Sequence, residues 1–82
     1  MNVKGKSSRG GGDHSDLKAI GRRIRETRGF DLTQEEFARQ LGISQSQLSK
    51  YERGLVLPAA DVLIQLKKKF GVSIDWLLTG TA

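Results

Sequence analysis

Four polar side chains between residues 45 and 50 could read the edges of bases in a DNA groove. They are Gln45, Ser46, Ser49 and Lys50. A glutamine can make two hydrogen bonds to adenine, a lysine can bind guanine O6 and N7, and a serine hydroxyl can donate or accept. On a helix that turns about 100° per residue these four share one face, and Leu48 and Tyr51 lie on the other. The spacing predicts a helix with one polar and one packed side, and a merely solvated polar face is the alternative interpretation.

The helix that must precede this one begins with a capping box. Thr33 is followed three positions later by Glu36, so the hydroxyl and the carboxylate can each accept a hydrogen bond from a backbone N–H group of the first turn. The predicted inward residues are Phe37, Ala38 and Leu41. Gly42 follows them, and glycine suits the left-handed residue that ends a helix. The sequence therefore predicts a short helix that starts at Thr33 and ends at Gly42.

Only residues 42–44 separate this helix from the one with the polar face. Ser44 and Gln47 form a second capping-box pattern, and Gly54 ends the second helix after Arg53. A connection this short makes the two helices cross steeply. The pair has the spacing of a helix-turn-helix, in which the second helix enters the major groove of DNA.

Apolar residues at helical spacing predict three further helices around this pair. One extends from about Asp16 to Arg28, one follows Pro58, and a short one covers residues 74–78 after the capping residue Ser73. Their predicted inward residues are Leu17, Ile20 and Ile24, then Val62, Leu63, Leu66 and Phe70, then Ile74, Leu77 and Leu78. No strand-like alternation is present, so the fold class is all-α, with five helices over residues 17–80.

Residues 1–16 have only one sizeable apolar residue beyond the initiator methionine, Val3, and cannot form a core. They are rich in glycine and serine and carry Lys4, Lys6 and Arg9. This composition predicts a disordered leader. A basic arm that contacts phosphates is the alternative interpretation.

Composition narrows the possible functions. The chain has 82 residues, a net charge of +5, one histidine and no cysteine. It has no apolar run of the roughly 18 residues that would indicate a membrane helix, so no membrane association is expected. With one histidine and no cysteine, the chain offers few pairs of a nucleophile and a base for catalysis. No further metal ligands stand at a suitable spacing from His14. We therefore expect a cytoplasmic protein without catalysis, cofactor or metal, and the residues do not identify a small-molecule effector.

Two stretches joined through Pro58 have a specific pattern, LTQEEFARQLGISQSQLSKYERG and KKFGVSIDWLLTG. They resemble the Cro/CI-type helix-turn-helix family of bacterial and phage regulators, also called the xenobiotic-response-element family. The resemblance covers about Ile20 to Gly80. It implies a five-helix, lambda-repressor-like DNA-binding domain that usually acts as a homodimer on a palindromic operator in double-stranded DNA.

The resemblance also assigns roles to individual residues. It implies that Gln34 contacts a phosphate and that Gln45, Ser46 and Lys50 face the bases, with Ser49 as a weaker candidate. The chain departs from the family pattern in two places. Asp31 stands where relatives have a glycine before the second helix. Apolar residues occupy positions 55–57, where many relatives have polar side chains against the phosphates, so contacts there would come from N–H groups and from Arg53.

Charged residues outside the central pair extend these predictions. After Asp16 the first helix carries five cations against the single acid Glu26, namely Lys18, Arg22, Arg23, Arg25 and Arg28. At least one of these cations is expected to contact phosphate, and Arg23 is among the predicted contacts. Glu52 falls on the inward side of its helix and needs a partner. We expect Arg28 to be that partner, with Arg23 as the second candidate. Lys67, Lys68 and Lys69 are best explained by solubility and the helix dipole.

Two functional hypotheses follow from these features. The first is a sequence-specific DNA-binding transcriptional regulator, most often a repressor in such a family. The second is a protein-interaction module such as an antitoxin, with DNA binding secondary. Trp76 points away from the other apolar residues of the last helix, so it is either a contact to a second subunit or a core residue covered by the fourth helix or the tail. The contact to a second subunit, and the apolar residues 55–57, favour the second hypothesis.

Overall fold

The computed structural model describes residues 14–81, and it places five α-helices in this part of the chain. They are α1 (His14–Arg28), α2 (Gln34–Leu41), α3 (Gln45–Glu52), α4 (Ala60–Phe70) and α5 (Ile74–Thr79). The all-α prediction is confirmed. Helix α1 begins at His14, so residues 14–16 of the expected leader belong to it, and the remaining residues 1–13, with their three cations, lie outside the described residues. None of the described helices is long and apolar enough to cross a membrane.

The helix starts follow the predicted caps. Thr33 Oγ1 accepts from Glu36 N at 3.1 Å and Glu36 Oε1 accepts from Thr33 N at 3.0 Å, which completes the capping box of α2. The hydroxyl of Ser44 caps α3 by accepting from the backbone N–H of Gln47 at 3.0 Å. The Gln47 side chain does not return the predicted second bond within the described residues. Gly42 ends α2 in a left-handed conformation with φ of 77°.

All five helices contribute to one hydrophobic core. Its buried members are Ile20, Ile24, Phe37, Ala38, Leu41, Leu48, Tyr51, Val62, Leu66 and Leu77. The Phe37 ring meets the Phe70 ring edge to face, with 4.8 Å between the ring centres. The predicted inward residues of α1 to α4 belong to this cluster or pack against it, with the exception of Leu17, which is half-buried outside it. On α5, however, Leu78 is exposed, so its predicted inward orientation is wrong. Trp76 is half-buried against the core, which agrees with the alternative interpretation of this residue as a core member.

Helix α1 lies backbone to backbone against the end of α3. Gly21 is buried, and a Cβ atom there would overlap the carbonyl oxygen of Tyr51 and come within 2.7 Å of that of Glu52. At Gly54 a Cβ atom would lie 2.7 Å from the Cα atom of Lys18. Only glycine allows this approach at both places. The two glycines therefore set the distance between α1 and the C-terminal end of α3.

An ion pair joins the same two helices. Arg28 Nε donates to Glu52 Oε2 at 2.9 Å and Arg28 Nη2 donates to Glu52 Oε1 at 3.0 Å, and the Glu52 side chain is only 5% exposed. Arg28 Nη1 also donates to the carbonyl oxygen of Leu32 at 3.2 Å. The first predicted partner of Glu52 is confirmed. The second candidate, Arg23, instead donates to the carbonyl oxygen of Leu77 at 3.1 Å and ties α1 to α5.

Replacing Gly21 by alanine should destabilise the domain. The added methyl group overlaps two carbonyl oxygens of α3, and overpacking of this kind costs about 1–3 kcal/mol even though alanine favours a helix. A thermal unfolding curve would measure the change. The matched control is Gly71→Ala, where nothing lies within 4 Å and only the left-handed φ of 71° opposes the substitution, at about 1 kcal/mol. An unchanged or higher unfolding temperature for G21A would contradict the close approach.

Replacing Glu52 by alanine should lower the free energy of unfolding by about 3–5 kcal/mol, because Arg28 then remains mostly buried without its partner. Denaturant unfolding would measure this loss. Glu26→Ala removes an exposed carboxylate from the same region of α1 and should change stability by no more than about 0.5 kcal/mol. Equal stability of the two variants would show that the ion pair does not hold α1 and α3 together.

Candidate nucleic-acid interface

The two faces of α3 are separated as the sequence predicts. Gln45, Ser46 and Lys50 are exposed, and Ser49 is half-buried. Leu48 is completely buried and Tyr51 is 4% exposed on the opposite side. Because α3 is anchored by its apolar face, an amide, a hydroxyl and an ammonium group are presented together at the surface.

The exposed end of α3 is connected to the ion pair through two glutamines. Gln34, at the first position of α2, donates its Nε2 to Glu52 Oε1 at 3.0 Å. Gln45 then donates its own Nε2 to Gln34 Oε1 at 3.4 Å. A carboxylate can only accept hydrogen bonds, so it orients the amide of Gln34, which in turn orients the amide of Gln45. The buried charge of Glu52 thus determines which way the exposed amide of Gln45 points.

This orientation leaves useful groups free on Gln45. Its Oε1 atom and the second hydrogen of its Nε2 atom are not used by Gln34. One acceptor and one donor side by side form the pair that matches the N6 and N7 atoms of adenine in the major groove. An amide held in this way loses less rotational freedom on binding than a free side chain does.

A cationic surface adjoins the interface on α1. Lys18, Arg22, Arg25 and Arg53 line a cavity of about 490 Å³, together with Glu52 and Leu55. The four cations are exposed, and the one carboxylate of the group is already paired with Arg28. This surface, hereafter the cationic flank of α1, therefore has an excess of positive charge and favours an anionic ligand.

The remaining predicted phosphate contacts have distinct environments. Arg53 is exposed at the end of α3, where its Nε donates to Ser49 O at 3.4 Å. Gln34 is the first residue of α2, and the N–H end of a helix favours anions, although here the Glu36 N–H is already capped by Thr33. Arg23 is half-buried against the end of α5, away from the other three cations of α1 that line the cationic flank. The structure thus brings Gln34 and Arg53 together with the exposed residues of α3 that are predicted to contact bases, and it gives Arg23 a hydrogen bond to the end of α5.

Sequence reasoning missed two features of this site. The link from Gln34 to Glu52 spans 18 positions, and no local pattern indicates it. The close contact at Gly21 could have been predicted from the sequence, because a glycine inside a helical pattern destabilises the helix and is often explained by a neighbouring backbone that approaches it. Lys69 also differs from expectation, since its Nζ donates to the carbonyl oxygen of Gln40 at 2.8 Å and so binds the end of α2.

The chain is similar to curated bacterial regulators over most of its described length. It is 40% identical over 61 residues to the HTH-type transcriptional regulator ImmR of Bacillus subtilis. This alignment covers 73% of this chain and 48% of ImmR. It is 44% identical over 55 residues to the antitoxin PezA of Streptococcus pneumoniae serotype 4. This alignment covers 66% of this chain and 35% of PezA. The chain therefore spans half or less of the length of these two relatives.

A solved structure with the same fold contains DNA. The P22 c2 repressor protein, crystallised in complex with the synthetic operator 9T, superimposes with a TM-score of 0.69 and 32% sequence identity, over 76% of this chain and 96% of the repressor chain. The family described as Helix-turn-helix, of the XRE type, matches residues 22–77. That span contains the cap of α2, the polar face of α3, the Glu52 network and most of α5, and the chain belongs to this helix-turn-helix family.

Proposed function

We propose that this chain is a sequence-specific DNA-binding transcriptional regulator that reads the major groove with α3. The observation that carries the proposal is the oriented amide of Gln45, which is held by Gln34 and Glu52 at an otherwise open surface. The operator bound by the P22 c2 repressor supports double-stranded DNA as the ligand. Binding requires no catalytic step.

Base recognition falls to the exposed residues of α3. Gln45 offers a donor and an acceptor to adenine, Lys50 offers a donor to guanine O6 and N7, and Ser46 can adapt to either. Ser49 is a weaker contact because it is half-buried. These side chains lie within two turns of one helix, so together they would read a short, continuous half-site.

Phosphate contacts would orient the domain on the duplex. Gln34 and the first turn of α2 would bind one phosphate, and Arg53 with the cationic flank of α1 would bind the backbone on the other side of α3. Since phosphates carry no sequence information directly, these contacts would supply affinity and the base contacts would supply selectivity.

The biological assembly that fits this activity is a homodimer on a two-fold operator in the cytoplasm. Two copies would place their α3 helices in successive major grooves, roughly 34–36 Å apart. Repression is the direction favoured by the P22 c2 repressor, because a dimer seated on an operator can block access to a promoter.

An antitoxin-like interaction module is a second, less well supported candidate. It is favoured by the similarity to PezA and by the exposure of Leu55 and Leu57, at 54% and 61%. A mobility-shift assay against genomic fragments at two salt concentrations separates the two. Retention of selected fragments that weakens with salt supports the regulator, and absence of any shift at low salt supports the interaction module.

Selection of bound DNA from a random pool tests the base contacts. The wild-type chain should select a two-fold symmetric sequence. Lys50→Ala should cost about 1–3 kcal/mol on that sequence and relax preference at one base pair in each half-site. Gln34→Ala should weaken binding to all sequences and also relax the base read by Gln45, because it removes both a phosphate contact and the support of the Gln45 amide.

Gln45→Ala is the matched control for Gln34→Ala. It should relax the same base pair and leave binding to unrelated DNA unchanged, because Gln34 and its phosphate contact remain. A uniform loss across all sequences for both Lys50→Ala and Gln45→Ala would contradict base reading by α3.

The salt dependence of binding tests the cationic flank. The double variant Arg22→Gln, Arg25→Gln should reduce the slope of log K against log salt by about one for each phosphate contact that is lost, without a change in the selected sequence. Lys67→Gln, Lys68→Gln removes the same charge from exposed positions on α4 and is the control. Equal slopes for the two double variants would show that Arg22 and Arg25 contribute to DNA binding only through the net charge of the chain, and not through contacts with phosphates.

A further inference from the structure

A cavity of about 440 Å³ lies at the C-terminal end of α1, where the chain turns towards α2. Its lining combines cations, one carboxylate and two apolar side chains, and it includes Arg22, Arg25, Glu26, Arg28, Phe30 and Leu32. Small-molecule sites in proteins have volumes of roughly 300–1,000 Å³, so this cavity has the size of a ligand site. We call it the Phe30 cavity.

The ring of Phe30 makes the cavity unusual. It is fully exposed, whereas the next most exposed of the large apolar residues in the described part of the chain, Leu57, is 61% exposed. Leu32, which packs against the core, is the second apolar side chain of the lining. An unpacked phenyl ring offers a face or an edge to a second aromatic ring. The apolar part of the cavity therefore suits an aromatic ligand.

Two arginines of the lining are available to an anion. Arg22 and Arg25 are exposed, and neither makes a hydrogen bond or an ion pair within the described residues. Arg28, in contrast, is already bound to Glu52. Glu26 is exposed and has no cationic partner in the same part of the chain. Two guanidinium groups against one carboxylate give the cavity an excess of positive charge, and a guanidinium binds a carboxylate through two parallel hydrogen bonds.

From these groups we infer that the Phe30 cavity binds a small aromatic acid that also carries a hydroxyl or an amino group. The ring of the ligand would stack on Phe30, and its carboxylate would bind Arg22 and Arg25. Its hydroxyl or amino group would donate to Glu26, whose carboxylate can only accept. A neutral aromatic compound would leave the arginines unused, and an aliphatic acid would leave the ring of Phe30 uncovered.

The small extent of the apolar surface favours a small molecule over a protein partner. Phe30 is the one exposed large apolar residue of the described chain that lines this cavity, since Leu55, Leu57 and Leu78 line other cavities. A stable protein interface buries roughly 1,200–2,000 Å² and has an apolar centre. One ring beside two arginines does not supply a centre of that extent.

A ligand in this cavity would act on DNA binding, and in this respect the inference rests on the proposed function. Arg22 and Arg25 line the cationic flank of α1 as well as the Phe30 cavity. A bound carboxylate would neutralise these two cations, which are proposed to contact phosphates. Ligand and DNA would each weaken the binding of the other by the same factor. The aromatic acid would therefore be an effector that releases the chain from its operator.

Titration of the full chain with para-hydroxybenzoate, followed by NMR chemical shifts, tests the site without DNA. Binding to an open site by so small a ligand should have a dissociation constant in the millimolar range. Phe30→Ala should raise this constant at least about tenfold, because the stacking surface is removed. Ile64→Ala is the matched control, since Ile64 is 46% exposed on α4 and does not line the cavity, and it should leave the constant unchanged. Thermal unfolding confirms that both variants fold.

Two compounds related to the probe test the chemistry of the ligand. Phenol lacks the carboxylate and should bind at least about tenfold more weakly. Benzoate lacks the hydroxyl group and should bind about fivefold more weakly, because Glu26 then has no donor. Equal binding of phenol and para-hydroxybenzoate, or equal binding by the wild type and Phe30→Ala, overturns the site. An acidic peptide with one phenylalanine that binds more tightly, with the same dependence on Phe30, assigns the surface to a protein partner and overturns the small acid as its ligand.

A mobility-shift assay on the sequence selected from the random pool tests the effect on DNA. With para-hydroxybenzoate at about ten times its dissociation constant, the DNA affinity of the wild type should fall to about that of the double variant Arg22→Gln, Arg25→Gln. The affinity of Phe30→Ala should not change. Sodium acetate at the same concentration is the control for ionic strength.

The outcomes of this assay separate the inference from the proposed function. Ligand binding that leaves DNA affinity unchanged overturns the effector role. A loss of DNA affinity in Phe30→Ala without ligand places Phe30 on the duplex and overturns the aromatic acid as its partner. Ligand binding with the expected dependence on Phe30, in a chain that binds no DNA, overturns the proposed function and supports the Phe30 cavity as a ligand site.

Discussion

The carboxylate of Glu52 is the interaction on which the arrangement of this domain depends. It lies at the end of α3 with 5% of its side chain exposed, and it accepts hydrogen bonds from Arg28 on α1 and Gln34 on α2. A charge this buried is tolerated only when its oxygens are satisfied by good geometry. Three helices are therefore held in one relative position by a single acidic group.

The same carboxylate links stability to recognition. Its hydrogen bond to Gln34 orients an amide that reaches the exposed Gln45, so the hydrogen-bonding pattern offered at the surface originates in the protein interior. The close backbone contact at Gly21 makes this possible, because α1 must approach α3 before Arg28 can reach Glu52. The orientation of Gln45 therefore depends on three features: the close helix contact at Gly21, the ion pair between Arg28 and Glu52, and the hydrogen bonds through Gln34.

Helix α1 divides the remaining surface into two parts with different physical character. The cationic flank of α1 carries positive charge beside α3. The other side of α1 lines a groove together with Leu57 and Leu78. Arg23 illustrates the division, since it belongs to a cation-rich helix but binds a backbone carbonyl at the end of α5. Membership of a basic helix therefore does not by itself place a residue at an anionic ligand.

Local chemistry in the sequence determined the five helices, the N-caps of α2, α3 and α5, and the two faces of α3. The capping box at Thr33 and Glu36 and the separation of Leu48 from Lys50 depend on residues within four positions of each other, so they can be read from the chain directly. The sequence also indicated that Glu52 needs a cationic partner, because an inward carboxylate is costly when unpaired, and it offered Arg28 and then Arg23 as candidates.

The tertiary structure alone decided which distant groups meet. Gln34 lies 18 positions from Glu52, and Arg23 lies 54 positions from Leu77, so no helical spacing relates them. The depth of Trp76 and the exposure of Leu78 were likewise decided by how α5 docks, since a six-residue helix is too short for its own pattern to define an inward face. Contacts of this kind depend on the crossing of whole helices, which only the assembled core specifies.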